Sequence, residues 1–277
     1  MKIVGIKNTT YVLLNGLDVP TEITLCDNIT LLPADTSHLN FETTIATCSH
    51  PDDISVVIAF ISRITAQFKI VASTPQELAA FAWNSTWDAL LLSSIYHTEV
   101  GFNLQSDTEA SSISAKTTLR ATNHHFRGLT HKSKYRLNSY DIEWLERNFT
   151  DARLLLKNEK FQTAVHCLAS YRWHSMPRIK MAVLWAGIEG MFGASSEIRF
   201  RISLYISRFL HPDDAGARKD TFELVKKLYN SRSSAVHGSK TKGDITQSVE
   251  ESAEILKKLI LQCIIKKNIP NEDELAP

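Results

Sequence analysis

Two residues near the end of the chain have the types and spacing for phosphodiester chemistry. Arg232 and His237 are separated by four residues in the run LYNSRSSAVHG, residues 228–238. An imidazole titrates close to neutral pH, so it can take up or release a proton there. A guanidinium keeps its charge and can neutralise a pentavalent phosphorane. Together they are the minimum equipment for metal-independent RNA cleavage by 2′-OH attack. The spacing alone is close to chance, because Arg120 and His125 repeat it in a strand-like region. Context separates the two pairs.

Phe222, Val225, Leu228 with Tyr229, Arg232 and Val236 recur at helical spacing, which predicts Arg232 on the inward face of its helix. An unpaired guanidinium buried there is very costly, so either a carboxylate pairs with it or it lines a cavity that receives an anion. Glu189 is the natural carboxylate, since it stands alone in an otherwise apolar helix expected over residues 177–192. The bland reading of the same residues is a Glu189–Arg232 ion pair that fixes helix register. His237 precedes Gly238, where the helix is expected to stop. In a continuous helix five positions rotate by about 140°, which would part Arg232 from His237. At a helix end the imidazole can instead swing back towards Arg232 or face another subunit.

The elements that must hold these residues are helical. Segments 141–157, 159–173, 177–192, 196–210 and 216–236, with a last helix opened by Asp244 and Gln247, show apolar residues at three-and-four spacing. Gly193 stands where a left-handed helix cap is expected. The first half reads differently. Residues 2–6, 11–14, 23–26, 29–32, 100–104 and 113–122 have strand character, with Asn15-Gly16 and Asp27-Asn28 as turns. Residues 56–64 fit a buried strand or a helix start equally, and residues 75–97 fit a helix with Thr74 and Glu77 as a capping box. The expected fold class is therefore an α+β N-terminal module followed by an all-α helical bundle. The boundaries are residues 1–122 for the module, 123–138 for a basic linker, 139–267 for the bundle and 268–277 for a flexible tail.

Residues 120–136 form the basic, histidine-rich stretch RATNHHFRGLTHKSKYR. It reads either as a solvated connector or as an RNA-contacting patch with Phe126 and Tyr135 as stacking platforms. A zinc site from His124, His125 and His131 is weaker, because no cysteine or acidic residue sits at ligand spacing. The net charge of +1 gives no bulk preference for a polyanion, so any nucleic-acid contact must be local. The four cysteines (Cys26, Cys48, Cys167 and Cys263) are scattered and fit reduced, half-buried thiols. No run approaches about 18 apolar residues, which predicts a soluble, cytoplasmic protein without a membrane partner.

LYNSRSSAVHG resembles the arginine–spacer–histidine signature of HEPN domains, in particular the Tyr-x-x-Arg-Ser-x-x-Val-His-Gly form of the Apea-like HEPN group. The apolar helix AVLWAGIEGMFG, residues 182–193, is similar to that group's central helix with its glutamate. The resemblance covers roughly residues 139–267 and implies an all-α HEPN-like bundle that dimerises, so that Arg232 and His237 of two chains converge on one cleft. It implies a metal-independent endoribonuclease without cofactor, leaving 2′,3′-cyclic phosphate and 5′-hydroxyl ends. Toxins and antiphage effectors are common in this group, so an antitoxin or defence-system partner is expected beside RNA and a second copy. On this reading His237 is general base or acid, Arg232 stabilises the phosphorane and Glu189 orients it. Tyr229, Asn230 and Ser233 shape the cleft, and Lys240 and Lys242 hold the RNA backbone. Many active members carry Asn, Asp or His where this chain has Ser233. A non-catalytic module that binds RNA, a nucleotide or a protein partner through the same groove is the alternative.

Overall fold

The computed structural model describes residues 5, 8–126, 134–193, 198–238 and 243–276. The expected strand over residues 2–6 therefore lies outside the described residues, apart from Gly5. The remainder is α+β: a six-stranded antiparallel sheet in the first half and a helical region after it.

Strands β1 (Thr9–Asn15), β2 (Leu17–Asp18), β3 (Ile23–Cys26) and β4 (Ile29–Pro33) come first, with Asp27-Asn28 turning β3 into β4. Helices α1 (Phe41–Ala46) and α2 (Pro51–Phe60) follow, then β5 (Ala66–Val71), α3 (Pro75–Tyr96), β6 (Gly101–Ser106), β7 (Leu119–Ala121) and β8 (Tyr135–Arg136). The sheet order is β3-β4-β5-β1-β6-β7. Val56, Val57 and Phe60 of α2 join Leu13, Leu104 and Leu119 of the sheet in one buried cluster.

Residues 56–64, open between strand and helix, are the end of α2 and a 3-10 turn, Ile61–Arg63. Pro51 at the first helical position and the His50 ring accepting from the Asp52 amide at 3.2 Å start that helix. The predicted strand over residues 113–122 shrinks to β7. The Thr117 hydroxyl accepts from the Ser114 amide (3.0 Å) and the Asp107 carboxylate from the Thr118 amide (3.1 Å), so side chains take over the ladder positions. Thr74 and Glu77 do form the reciprocal capping box of α3, at 3.2 and 3.1 Å.

The stretch expected to be a solvated linker is bound at both described ends. Asn103 donates to the His125 carbonyl at 2.9 Å, and Phe126 stacks on Phe60 with centroids 6.4 Å apart. β8 pairs in parallel with β2, and the Tyr135 hydroxyl donates to Asp141 at 3.3 Å. Burial and the Asp141 carboxylate push the Tyr135 hydroxyl above its usual range. Tyr135 is thus held in the fold, while Phe126 stays 50% exposed beside Phe60. Residues 127–133, His131 among them, lie outside the described residues.

The chain divides into two compact units, residues 1–92 with 98–150 and residues 93–97 with 151–277. The division falls inside α4 (Ser139–Leu155) and not at the expected residue 139. The first turn of α4 is tied down by reciprocal Asn138–Asp141 bonds of 3.0 Å, and Thr150 donates to the Leu25 carbonyl at 3.3 Å.

In the helical unit α5 (Glu159–Ser170), α6 (Pro177–Met191), α7 (Ile198–Leu210), α8 (Ala215–Val236) and α9 (Ile245–Lys266) follow the predicted periodicity. Helix α6 is central, packing on α5, α8 and α9, with Met181, Leu184, Trp185 and Ile188 buried. Three end signals resolve differently from the sequence reading. Phe192 ends α6 in extended backbone, and the Gly193 amide donates to the Glu272 carboxylate, so Gly193 gives room for a contact instead of a left-handed cap. Asp244 caps α9 alone at 2.8 Å, while Gln247 bonds Glu251. The expected flexible tail contains α10 (Glu272–Leu275), whose last carbonyls, Leu275 and Ala276, accept from Arg208 at 2.8 and 2.7 Å. Cys167 and Cys263 are buried, and burial pushes the Cys263 thiol up to about 12. No described helix is long and apolar enough to cross a membrane.

At Gly187 α6 lies close against α5 and α9. A Cβ there would stand 2.9 Å from Cys167 Cβ and 3.0 Å from Leu256 Cδ2. Gly187→Val is expected to destabilise the chain by about 2–3 kcal/mol through overpacking. A urea midpoint equal to the parent's would contradict this packing.

Candidate functional site

The site is built on α6, α8 and α9. Val225, Leu228, Ser231 and Ala235 form the buried line of α8. Arg232 sits beside that line and not on it, because Ser231 takes the buried position in this turn. There the Ser248 hydroxyl of α9 donates to Ser231 Oγ at 3.3 Å. A small hydroxyl fits between two helices where a guanidinium would have to be desolvated. Val236, also placed on the inward stripe by its spacing, is 48% exposed.

Arg232 Nη2 donates to Glu189 Oε2 at 2.8 Å, so a carboxylate answers the guanidinium across α8 and α6. The guanidinium carbon lies 5.6 Å from the Tyr229 ring centroid, and Trp185 meets that ring edge-on at 5.4 Å. Trp185 is held in turn: its indole N–H donates to Ser252 Oγ at 3.1 Å, and Ser252 donates to the Ser248 carbonyl at 2.7 Å. Arg232 is therefore fixed by a carboxylate and an aromatic face over a small polar network. The pair is half satisfied. Glu189 Oε1 and Arg232 Nε are buried with no hydrogen-bond partner among the described residues. Burial pushes the Glu189 carboxyl above its ordinary range, and Arg232 pulls it only part of the way back.

His237 caps the C-terminus of α8, its amide donating to the Ser233 carbonyl at 3.0 Å, and its side chain is exposed. Gly238 follows at φ 73°, in the left-handed region that favours glycine. No described contact joins His237 to Arg232, so within one chain the structure leaves the two expected catalytic residues apart. Asn230 is exposed and accepts from Arg199 at 3.3 Å, and Ser233 is half-buried. Lys240 and Lys242 lie outside the described residues.

Arg178 belongs to the same corner and escaped the sequence reading. Its Nη1 donates to the Ser234 carbonyl at 3.2 Å and the Ala235 carbonyl at 3.1 Å, neutralising the negative end of α8 beside His237. A signal existed, since a cation in the first turn of α6 opposes that helix's own dipole and must serve another group. Arg178 and Arg199 thus add guanidinium groups beside the Arg232–Glu189 pair.

Elsewhere, His124 pairs with the buried Asp53 at 3.4 Å, not with a metal set, and no group of metal-ligating side chains forms among the described residues. Searches against protein-family models, curated proteins and solved structures found no match to this chain.

Two outcomes follow. Arg178→Ala is expected to cost about 1–2 kcal/mol in urea unfolding, and an unchanged midpoint would contradict its capping role. Because the Glu189 carboxyl is raised when folded, the native chain keeps a proton that the unfolded chain has already released. Stability from this group is therefore present below its unfolded value of 4.5 and lost as pH rises through the folded value. Glu189→Gln should flatten that segment of the stability–pH curve, and an unaltered slope would contradict the assignment.

Proposed function

We propose that the helical unit is a HEPN-like, metal-independent endoribonuclease that works as a homodimer. One observation carries the reading. Arg232 is fixed at this corner by Glu189 and Tyr229, with His237 exposed at the end of the same helix. Attack by a ribose 2′-hydroxyl on the adjacent phosphorus needs a base for the hydroxyl proton and an acid for the departing 5′-oxygen. His237 fills one of these roles, and a second copy of the chain supplies the other imidazole. The 2′-oxygen forms a bond to phosphorus, the 5′-oxygen leaves with a proton, and the products carry 2′,3′-cyclic phosphate and 5′-hydroxyl ends. Arg232 stabilises the phosphorane charge, and Glu189 positions Arg232. Tyr229, Asn230 and Ser233 line the cleft, and Lys240 and Lys242 add non-specific attraction for the RNA backbone.

The same reading makes the protein a cytoplasmic toxin or antiphage effector with an antitoxin or defence-system partner. A second reading is a non-catalytic module that binds RNA, a nucleotide or a protein partner through this groove. The Glu189 contact that occupies one edge of Arg232 favours it.

The test is incubation of the full chain with mixed RNA in EDTA, beside Arg232→Ala and His237→Ala variants. Cleavage by the parent, reduced at least 100-fold in both variants, is the expected result. Uncut RNA with retained binding would select the second reading. Equal cleavage by parent and variants would overturn the site, and a strictly monomeric active protein would overturn the composite cleft.

A further inference from the structure

We infer that the helical unit binds a small phosphate monoester in a cleft formed by the end of α7, the start of α8, the end of α9 and α10. This cleft is apart from Arg232 and His237, and the inference does not rest on the endoribonuclease reading.

The cleft has a volume of about 690 Å³, a size that suits a small organic ligand. Arg208, Arg218 and Lys266 line it, and Glu274 is the one carboxylate among its described lining residues. Arg218 precedes Arg232 by fourteen residues on α8, which is about 21 Å along the helix. Both cleft arginines are half-buried, and both serve the fold. Arg208 Nη1 donates to the Leu275 and Ala276 carbonyls, and Arg218 Nη1 donates to the His211 and Pro212 carbonyls just beyond α7. The Lys266 ammonium stands 5.1 Å from the centroid of the buried Phe209 ring.

All of these partners are neutral. A carbonyl or a ring steadies a cation without cancelling its charge. Among the described residues none of the three cations forms an ion pair. Glu274 instead accepts from Asn271 Nδ2 at 3.0 Å, and Asp214, outside the lining, accepts from the Ala217 amide at 2.9 Å. Three cations against one carboxylate leave the lining with a formal charge of +2. A guanidinium cannot release its proton, so half-buried arginines without a carboxylate call for an anion from outside.

The form of the cleft narrows the choice of anion. Each guanidinium spends only Nη1 on described acceptors, which leaves Nη2 and Nε to fork onto anionic oxygens. A phosphate monoester carries a charge of about −1.5 to −2 at neutral pH and three acceptor oxygens, which answers the surplus. A carboxylate brings one negative charge and leaves a cation unanswered. Pro212, Ile269 and Leu275 give the esterified group an apolar wall beside the cations.

The test is isothermal titration calorimetry on the full chain, in EDTA and a phosphate-free buffer at constant ionic strength. The probes are phenyl phosphate, inorganic phosphate and benzoate. Phenyl phosphate should bind saturably at one site, inorganic phosphate more weakly, and benzoate at least ten-fold more weakly than phenyl phosphate. Arg218→Gln keeps a donor for the carbonyls and drops the charge, and Lys266→Gln alters no backbone contact. Each should weaken phenyl phosphate at least ten-fold. Lys160→Gln, at an exposed lysine on α5 outside the cleft, should leave the affinity unchanged. Urea midpoints separate loss of the site from loss of the fold, and Lys266→Gln decides alone if Arg218→Gln is unfolded. Absence of saturable phosphate binding, parent-like affinity in Lys266→Gln, or an equal loss in Lys160→Gln would each overturn the site. Benzoate binding as tightly as phenyl phosphate would overturn the match to a phosphate, and inorganic phosphate binding as tightly would overturn the match to an ester.

Discussion

The 2.8 Å pair between Arg232 and Glu189 is the constraint on which the rest of the helical unit depends. A guanidinium cannot shed its charge, so a half-buried arginine dictates what lies opposite. The carboxylate comes from α6, which packs on α5, α8 and α9, so the pair fixes the register of α8 against that helix. Beneath it, Ser231, Ser248, Ser252 and the Trp185 indole form a chain of hydroxyl and N–H contacts that lets α8 and α9 approach closely. The aromatic face of Tyr229 completes the setting, held edge-on by Trp185. A cation fixed in this way loses little conformational entropy when it meets an anion, which is the preorganisation that electrostatic catalysis requires.

The pair also explains how the corner keeps spare capacity. Glu189 Oε1 and Arg232 Nε are left without described partners, so the ion pair is tight on one edge only. Arg178 spends its charge on the carbonyls at the end of α8, which steadies the turn that presents His237. Structural and chemical roles are thus divided among arginines: Arg178 holds backbone, Arg199 holds Asn230, and Arg232 faces a carboxylate with its Nε uncommitted among the described residues.

Much of this was legible in the sequence, for physical reasons. Helices α5 to α9 repeat apolar residues at the period of the helix, a local signal that survives without knowledge of partners. The Glu189–Arg232 pairing was legible because one carboxylate in an apolar helix and one arginine near an inward stripe each demand an answer. The placement of Arg232 beside the buried line was not, because Ser231 looks no more apolar than its neighbours and only the approach of α9 reveals why a hydroxyl belongs there. Strand existence was visible at β1, β3 and β4, but the pairing of β1 with β5 and β6 joins residues far apart in sequence, which no local pattern encodes. The docked connector, the Gly193–Glu272 contact and α10 depend on partners brought near by folding and left no periodic trace.

The central claim is that Arg232 and His237 serve attack by a ribose 2′-hydroxyl. The most direct measurement offers the full chain, in EDTA, one RNA sequence and its fully 2′-O-methyl counterpart, and identifies the ends of the products. Cleavage of the RNA alone, with 2′,3′-cyclic phosphate and 5′-hydroxyl ends, is the predicted result. Cleavage of the methylated strand, or products ending in 3′-hydroxyl and 5′-phosphate, would contradict it.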